Sequence, residues 1–96
     1  MNVPEIEKQF TASIIEVLKM GDHNVPRISS DSKPLEIPFF DSYSGMTAII
    51  AFEQKTETDL SDLENRLFLD EKHRMSTIHQ ISLKIHELIR RKGGKT

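Results

Sequence analysis

Large apolar side chains recur at helical spacing near both ends of the chain, and no run shows the clean period-two alternation of a half-buried strand. Ile6, Phe10, Ile14 and Leu18 stand four residues apart and Val17 widens their stripe, so residues 4 to 20 are expected to form an amphipathic helix. Pro4 suits the first turn of that helix and Gly21 its end. Near the other end, Ile78, Ile81, Ile85, Leu88 and Ile89 follow the same kind of pattern, with Ser76 or Thr77 as N-cap. Arg90, Arg91 and Lys92 complement the negative end of that helix, Gly93 and Gly94 close it, and residues 90 to 96 make a short basic tail.

A third helical segment is expected over about 42 to 56, where Met46, Ile49, Ile50 and Phe52 are interleaved with Ala48 and Ala51; Gly45 weakens its first turns. Ser61 or Asp62 is positioned to cap a short helix of one or two turns before Phe68, and residues 69 to 75 form a charged connection. From Asp22 to Asp41 periodicity is lost among Asn, Ser and Pro, yet Val25, Ile28, Leu35, Ile37, Phe39 and Phe40 are too apolar for a free linker. An ordered loop lying across the core is expected there, and a connection of that length is commonly functional. The fold class is therefore all-α: four helices, three longer and one short, with a long loop between the first two. Ninety-six residues accommodate one such domain, residues 1–96, with a single small core.

Composition removes several function classes. Thirteen Lys and Arg against fifteen Asp and Glu leave a net charge of −2, which does not suit a surface built to neutralise nucleic acid, so electrostatic recognition must be local. Without cysteine the chain has no disulfide, no thiolate nucleophile and no thiolate metal site, in keeping with a cytoplasmic location. The polar, acidic start does not have the apolar stretch of a signal peptide, and no apolar run reaches membrane-spanning length; neither export nor membrane insertion is expected. Neither G-x-G-x-x-G nor a Walker-type loop is present. His79 and His86 share a face of the last helix, but two imidazoles two turns apart, with no carboxylate placed between them, make a poor metal pair.

Asp41-Ser42 is the pair with the clearest chemical potential. At a helix start the backbone N–H groups are unpaired and the macrodipole is positive, so a phosphate ester on Ser42 would be stabilised in place. No histidine lies in its local sequence to act as a base; His23 and His73 fall in expected loops. Ser42 is thus modifiable and not self-activating. The plain alternative is that Asp41 or Ser42 is only an N-cap.

Over residues 41 to 68 the chain resembles the second and third helices of the acyl carrier proteins, the small four-helix carriers of fatty-acid and polyketide synthesis. That family has Asp-Ser-Leu at the start of helix two, an Ala-Leu-Glu-like segment late in it, and an Ile-Pro-Asp-like lead into helix three. Asp41-Ser42-Tyr43, Ala51-Phe52-Glu53 and Leu60-Ser61-Asp62 stand at the corresponding spacings without a gap. The resemblance implies a non-catalytic carrier, with Ser42 receiving a covalent 4′-phosphopantetheine arm from coenzyme A. A phosphopantetheinyl transferase would supply Mg²⁺ and the base, and Asp41 would help to orient the metal-bound donor or the transferase. The arm's thiol would carry an acyl group as a thioester to acyl-transferring or condensing enzymes, with the carrier itself a monomer. By the same resemblance Tyr43, Met46, Thr47, Ile50 and Glu53 are the partner-docking candidates. Ile49, Phe52, Leu60, Phe68, Ile81 and Ile85 are candidates to shelter the acyl chain, and each has an equally good account as core.

Several positions depart from the family pattern. Tyr43, Ser44 and Thr47 make the start of helix two more neutral, while acidic residues gather later, at Glu53, Glu57, Asp59, Asp62 and Glu64. Phe39 and Phe40 replace small residues, Thr56 replaces a large apolar one, and the 69–75 connection is longer and carries Lys72, His73 and Arg74. These departures imply a specialised carrier. A reading from a different class is an unmodified helical module that binds a partner helix through Met46 and Ile50.

Overall fold

The computed structural model describes residues 1–93; Gly94 and the end of the basic tail lie outside the described residues. The architecture is all-helical: α1 (Val3–Met20), α2 (Ser42–Thr56) and α3 (Ile78–Gly93), with no strand among the described residues. Both α2 and α3 pack on α1. No described helix is long and apolar enough to cross a membrane.

The stripe on α1 forms as its spacing predicts, with Ile6, Phe10, Ile14 and Leu18 buried. Its start is a capping box one residue before the expected boundary. The Asn2 side chain accepts from the Glu5 N–H at 2.9 Å and the Glu5 carboxylate accepts from the Asn2 N–H, with Pro4 in the first turn. At the far end Gly21 has an ordinary φ of −85° and the left-handed residue is Asp22, at 61°. A Cβ at Gly21 would lie 2.7 Å from the His23 ring, so a larger residue there would make that ring shift.

The loop between α1 and α2 is ordered for a reason its sequence conceals. The Ser32 and Ser30 carbonyls accept from the N–H groups of Ile78 (2.8 Å) and His79 (2.9 Å), so the loop satisfies donors that the start of α3 leaves unpaired. Thr77 and Gln80 complete that end with a reciprocal pair of bonds, which settles the N-cap in favour of Thr77 over Ser76. Ser30 Oγ also donates to Glu7 Oε1 at 3.1 Å, tying the loop to α1. Ile28, Leu35 and Ile37 pack against the core and Phe40 enters it, whereas Val25 and Phe39 remain exposed, contrary to the expectation for those two. A 3-10 turn, Pro34–Glu36, interrupts the loop.

The expected short fourth helix is a 3-10 helix, Ser61–Arg66. Neither Ser61 nor Asp62 caps it; Leu60 occupies the capping position without a side-chain bond. The lead-in is held by carboxylates from outside, Asp59 Oδ1 accepting from the Ser61 N–H at 2.9 Å and Glu53 Oε2 from the Leu60 N–H at 2.7 Å. Leu60, Leu63 and Leu67 are buried from this segment.

Four phenylalanines join the elements. Phe10 of α1 lies 5.6 Å from Phe52 of α2 and 5.9 Å from Phe68, between ring centroids, and Phe68 lies 6.0 Å from Phe40, edge-on. One polar atom in the interior is not accommodated: Ser82 Oγ on α3 is fully buried and has no hydrogen-bond partner among the described residues. Ser13, equally buried on α1, returns its hydroxyl to the Gln9 carbonyl. Ser82→Ala should therefore stabilise the fold by about 1 kcal/mol, because it removes an unsatisfied group and favours the helix. Chemical denaturation would reveal a raised midpoint at unchanged slope, and a lowered midpoint would contradict the assignment.

Candidate functional site

The start of α2 is positioned by what precedes and follows it. Phe40, immediately before Asp41, is buried against Phe68. Gly45, one turn into the helix, is buried against the same ring: a Cβ there would sit 2.8 Å from Phe68 Cε2. The glycine that costs helix propensity is thus the residue that lets α2 approach Phe68. Two contacts on one aromatic ring fix the helix end between them.

Asp41 is the N-cap. Its Oδ1 accepts from the Ser44 N–H at 2.9 Å, and its carbonyl accepts from the Gly45 N–H at 2.9 Å. The hydrogen bond from Ser44 holds the Asp41 carboxyl below the usual carboxylate range. Ser42 is the first residue of α2 and is exposed, and no bond to its hydroxyl occurs among the described residues. Its backbone and that of Tyr43 belong to the turn whose N–H groups have no partner within the helix.

Among the described residues neither His23 nor His73 makes a hydrogen bond to Ser42. His23 stacks on the Phe39 ring, centroids 4.2 Å apart and planes within 2° of parallel. His73 occupies the turn between the 3-10 helix and α3, at φ 60°. His79 Nδ1 lies 2.8 Å from Glu7 Oε2 on α1, so its partner is a carboxylate of another helix. The chemistry available at Ser42 is that of an accessible hydroxyl in a positive helix-end field, with any base supplied by another molecule.

The docking candidates divide. Tyr43 (80% exposed), Met46 (51%) and Ile50 (51%) form one exposed apolar stripe along α2. Phe39 (72%) is also exposed, close in sequence to the Ser42 end of that stripe. Thr47 is half-buried, its hydroxyl donating to the Tyr43 carbonyl at 3.2 Å. Glu53 is half-buried and its carboxylate is engaged by the Leu60 N–H, so it holds the turn after α2 in place.

The acyl-shelter candidates divide as well. Ile49 and Leu60 border an indentation of about 120 Å³ beside α2, with Met46, Ile50, Glu53 and Ser61 around it. Phe52, Ile81 and Ile85 are fully buried in the packed interior, and Phe68 is half-buried among the aromatic rings; none of these four lines the indentation. Sequence reasoning did not find Phe39 as a surface residue or the role of Glu53. The first depends on a left-handed backbone at a non-glycine residue, φ 67°, for which the sequence has no marker.

No protein-family model matches the chain, and no curated protein or solved structure matches it either.

Two outcomes test this geometry. Gly45→Ala should destabilise the protein by about 1 kcal/mol in denaturant titration, the clash with Phe68 outweighing the propensity gained; a stabilised variant would show that the ring yields freely. Asp41 has a lowered pKa in the folded state. Its contribution is fully present above the ordinary aspartate value and is lost as pH falls through the lowered one. Asp41→Asn keeps a capping oxygen and removes the titration, so its stability should fall less steeply than that of the wild type between about pH 5 and pH 2. Parallel acid limbs for the two proteins would refute the assignment.

Proposed function

We propose that this protein is an acyl carrier of a specialised pathway and that Ser42 is its point of attachment for 4′-phosphopantetheine. The observation that carries the reading is the exposed hydroxyl of Ser42 on the first residue of α2, beside the Asp41 cap and at the head of an exposed apolar stripe. A modifying enzyme needs to reach such a hydroxyl, and a helix start favours the phosphodiester anion that results. Three features in register accompany it: Asp41-Ser42 at the helix start, Ala51-Phe52-Glu53 late in the same helix, and Leu60-Ser61-Asp62 leading into the next helical segment. In this reading the 3-10 helix Ser61–Arg66 stands for the short third helix of a four-helix carrier.

The chain's own residues attach, orient and present. Ser42 Oγ is the nucleophile toward the diphosphate of coenzyme A, and the nucleotide half leaves. Its proton passes to a base on the phosphopantetheinyl transferase, which also brings Mg²⁺, since among the described residues no histidine bonds to the hydroxyl and the Asp41 carboxylate is engaged as the cap. Asp41, ionised through the neutral range and tied to the Ser44 N–H, keeps the helix start rigid and puts a negative charge beside the incoming metal-bound donor. When attached, the arm supplies a terminal thiol on which an acyl group travels as a thioester. Tyr43, Met46 and Ile50 present a neutral apolar surface to condensing or acyl-transferring enzymes, where a generic carrier would present acidic charge. A cytoplasmic monomer serving a fatty-acid, polyketide or related pathway fits this surface.

The same exposed stripe also suits a second reading, an unmodified module that docks a partner helix through Met46 and Ile50. Incubation with a permissive phosphopantetheinyl transferase and coenzyme A, followed by intact-mass measurement, separates the two. The carrier gains a single adduct that is absent from Ser42→Ala. A chain that stays unmodified while a control carrier is fully loaded identifies the module.

A further inference from the structure

The connection between the 3-10 helix and α3 is given no chemical role in the carrier reading, and it is a preformed turn. Asp70 organises it. Its Oδ1 accepts from the N–H groups of Lys72 (2.8 Å) and Arg74 (2.9 Å), and its Oδ2 from Arg74 Nε (3.2 Å). The Asp70 N–H donates to the Arg74 carbonyl at 2.9 Å, and Leu69 pairs with Met75 across the base of the turn. From α3, Lys84 reaches beneath it, with Nζ donating to the carbonyls of Arg66 (2.5 Å) and Leu67 (3.4 Å) and to Ser76 Oγ (3.1 Å).

Between the turn, the 3-10 helix and Lys84 lies a cavity of about 400 Å³, a volume suited to a small organic ligand. Its charged wall is Arg66, Lys72, Arg74 and Lys84, and Leu63 and Leu69 provide the apolar part. Among the described residues that line it the carboxylates are Asp70 and Glu71, and Asp70 is already occupied by Arg74 and the turn's N–H groups. A local excess of positive charge therefore stands in a chain whose net charge is −2. Guanidinium groups matched to a compact dianion favour a phosphate over a singly charged carboxylate.

We propose that this cavity is a binding site for a phosphomonoester carried on a short apolar body. The phosphate sits among Arg66, Lys72 and Arg74 and the body lies on Leu63 and Leu69. The state of Lys84 agrees with an anion there: burial lowers its pKa, the charge of Asp70 opposes that shift and the charge of Arg66 adds to it, so a further negative charge nearby would favour the ammonium.

The site is separate from Ser42, and its test keeps it so. Phenyl phosphate is titrated into ¹⁵N-labelled protein at constant ionic strength, with benzoate and inorganic phosphate as comparison probes, and the titration is repeated in Ser42→Ala. Saturating amide shifts confined to Leu63, Arg66, residues 69 to 74 and Lys84, equal in wild type and Ser42→Ala, support the site. Arg66→Gln and Lys72→Gln, both exposed positions, should each weaken binding about tenfold while keeping the spectrum of a folded chain. Inorganic phosphate should bind more weakly than phenyl phosphate, and benzoate weakest. Shifts that do not saturate, that scatter over the surface, or that survive both substitutions overturn the site. Benzoate binding as tightly as phenyl phosphate overturns the assignment to a phosphate.

Discussion

The ring of Phe68 is the contact on which the placement of Ser42 depends. It receives Phe40 edge-on from one side of Asp41-Ser42 and the bare backbone of Gly45 from the other, and it rests on Phe10 of α1. Phe10 in turn meets Phe52 of α2. A helix end is ordinarily the part of a helix most prone to fray. Here the first turn of α2 is clamped on both sides to a ring that the interior already holds, and the Asp41 cap adds only local bonds to that clamp. An exposed hydroxyl can then occupy a constant position without being buried.

The long loop serves a comparable purpose at the start of α3. Its length invites an explanation as a flexible segment, but its carbonyls close the first N–H groups of α3 and its serine hydroxyl reaches Glu7. Unpaired donors at a helix start demand partners from somewhere. The chain meets that demand with backbone from the loop as well as with the Thr77–Gln80 pair. Removing the loop would therefore uncover α3 as well as the site.

Elements set by a single face were legible in the sequence. The stripes of α1 and α3 specify one helix each, and Asp41-Ser42 fixed the first residue of α2 because a capping side chain and an apolar period agree there. Elements set by distant partners were not. Ser61 and Asp62 look like caps, yet the lead into the 3-10 helix is held by Glu53 from the preceding helix and by Asp59. Lys84 sits on a helix as an ordinary surface lysine would, and only the fold brings three backbone carbonyls within its reach. At the candidate site the exposed hydroxyl and its cap could be read from local pattern, whereas the reason for Gly45 needed the position of Phe68.

Phe39 is the residue least well explained by folding alone. Its backbone is left-handed, which costs a non-glycine residue about 1 kcal/mol, and its ring is mostly exposed, stacked on the His23 imidazole. A small polar residue or glycine would occupy that turn with less strain and less exposed apolar area. Tyr43, Met46 and Ile50 add to the exposure along α2, so several large apolar groups are exposed at and just before the helix that Ser42 begins. Exposed apolar surface raises the free energy of the isolated protein, and that cost is recovered when a partner covers it. In the carrier reading proposed above, the strain at Phe39 would be offset by a partner that approaches Ser42, and such a partner would find an aromatic ring and an aliphatic stripe to grip in place of an acidic face.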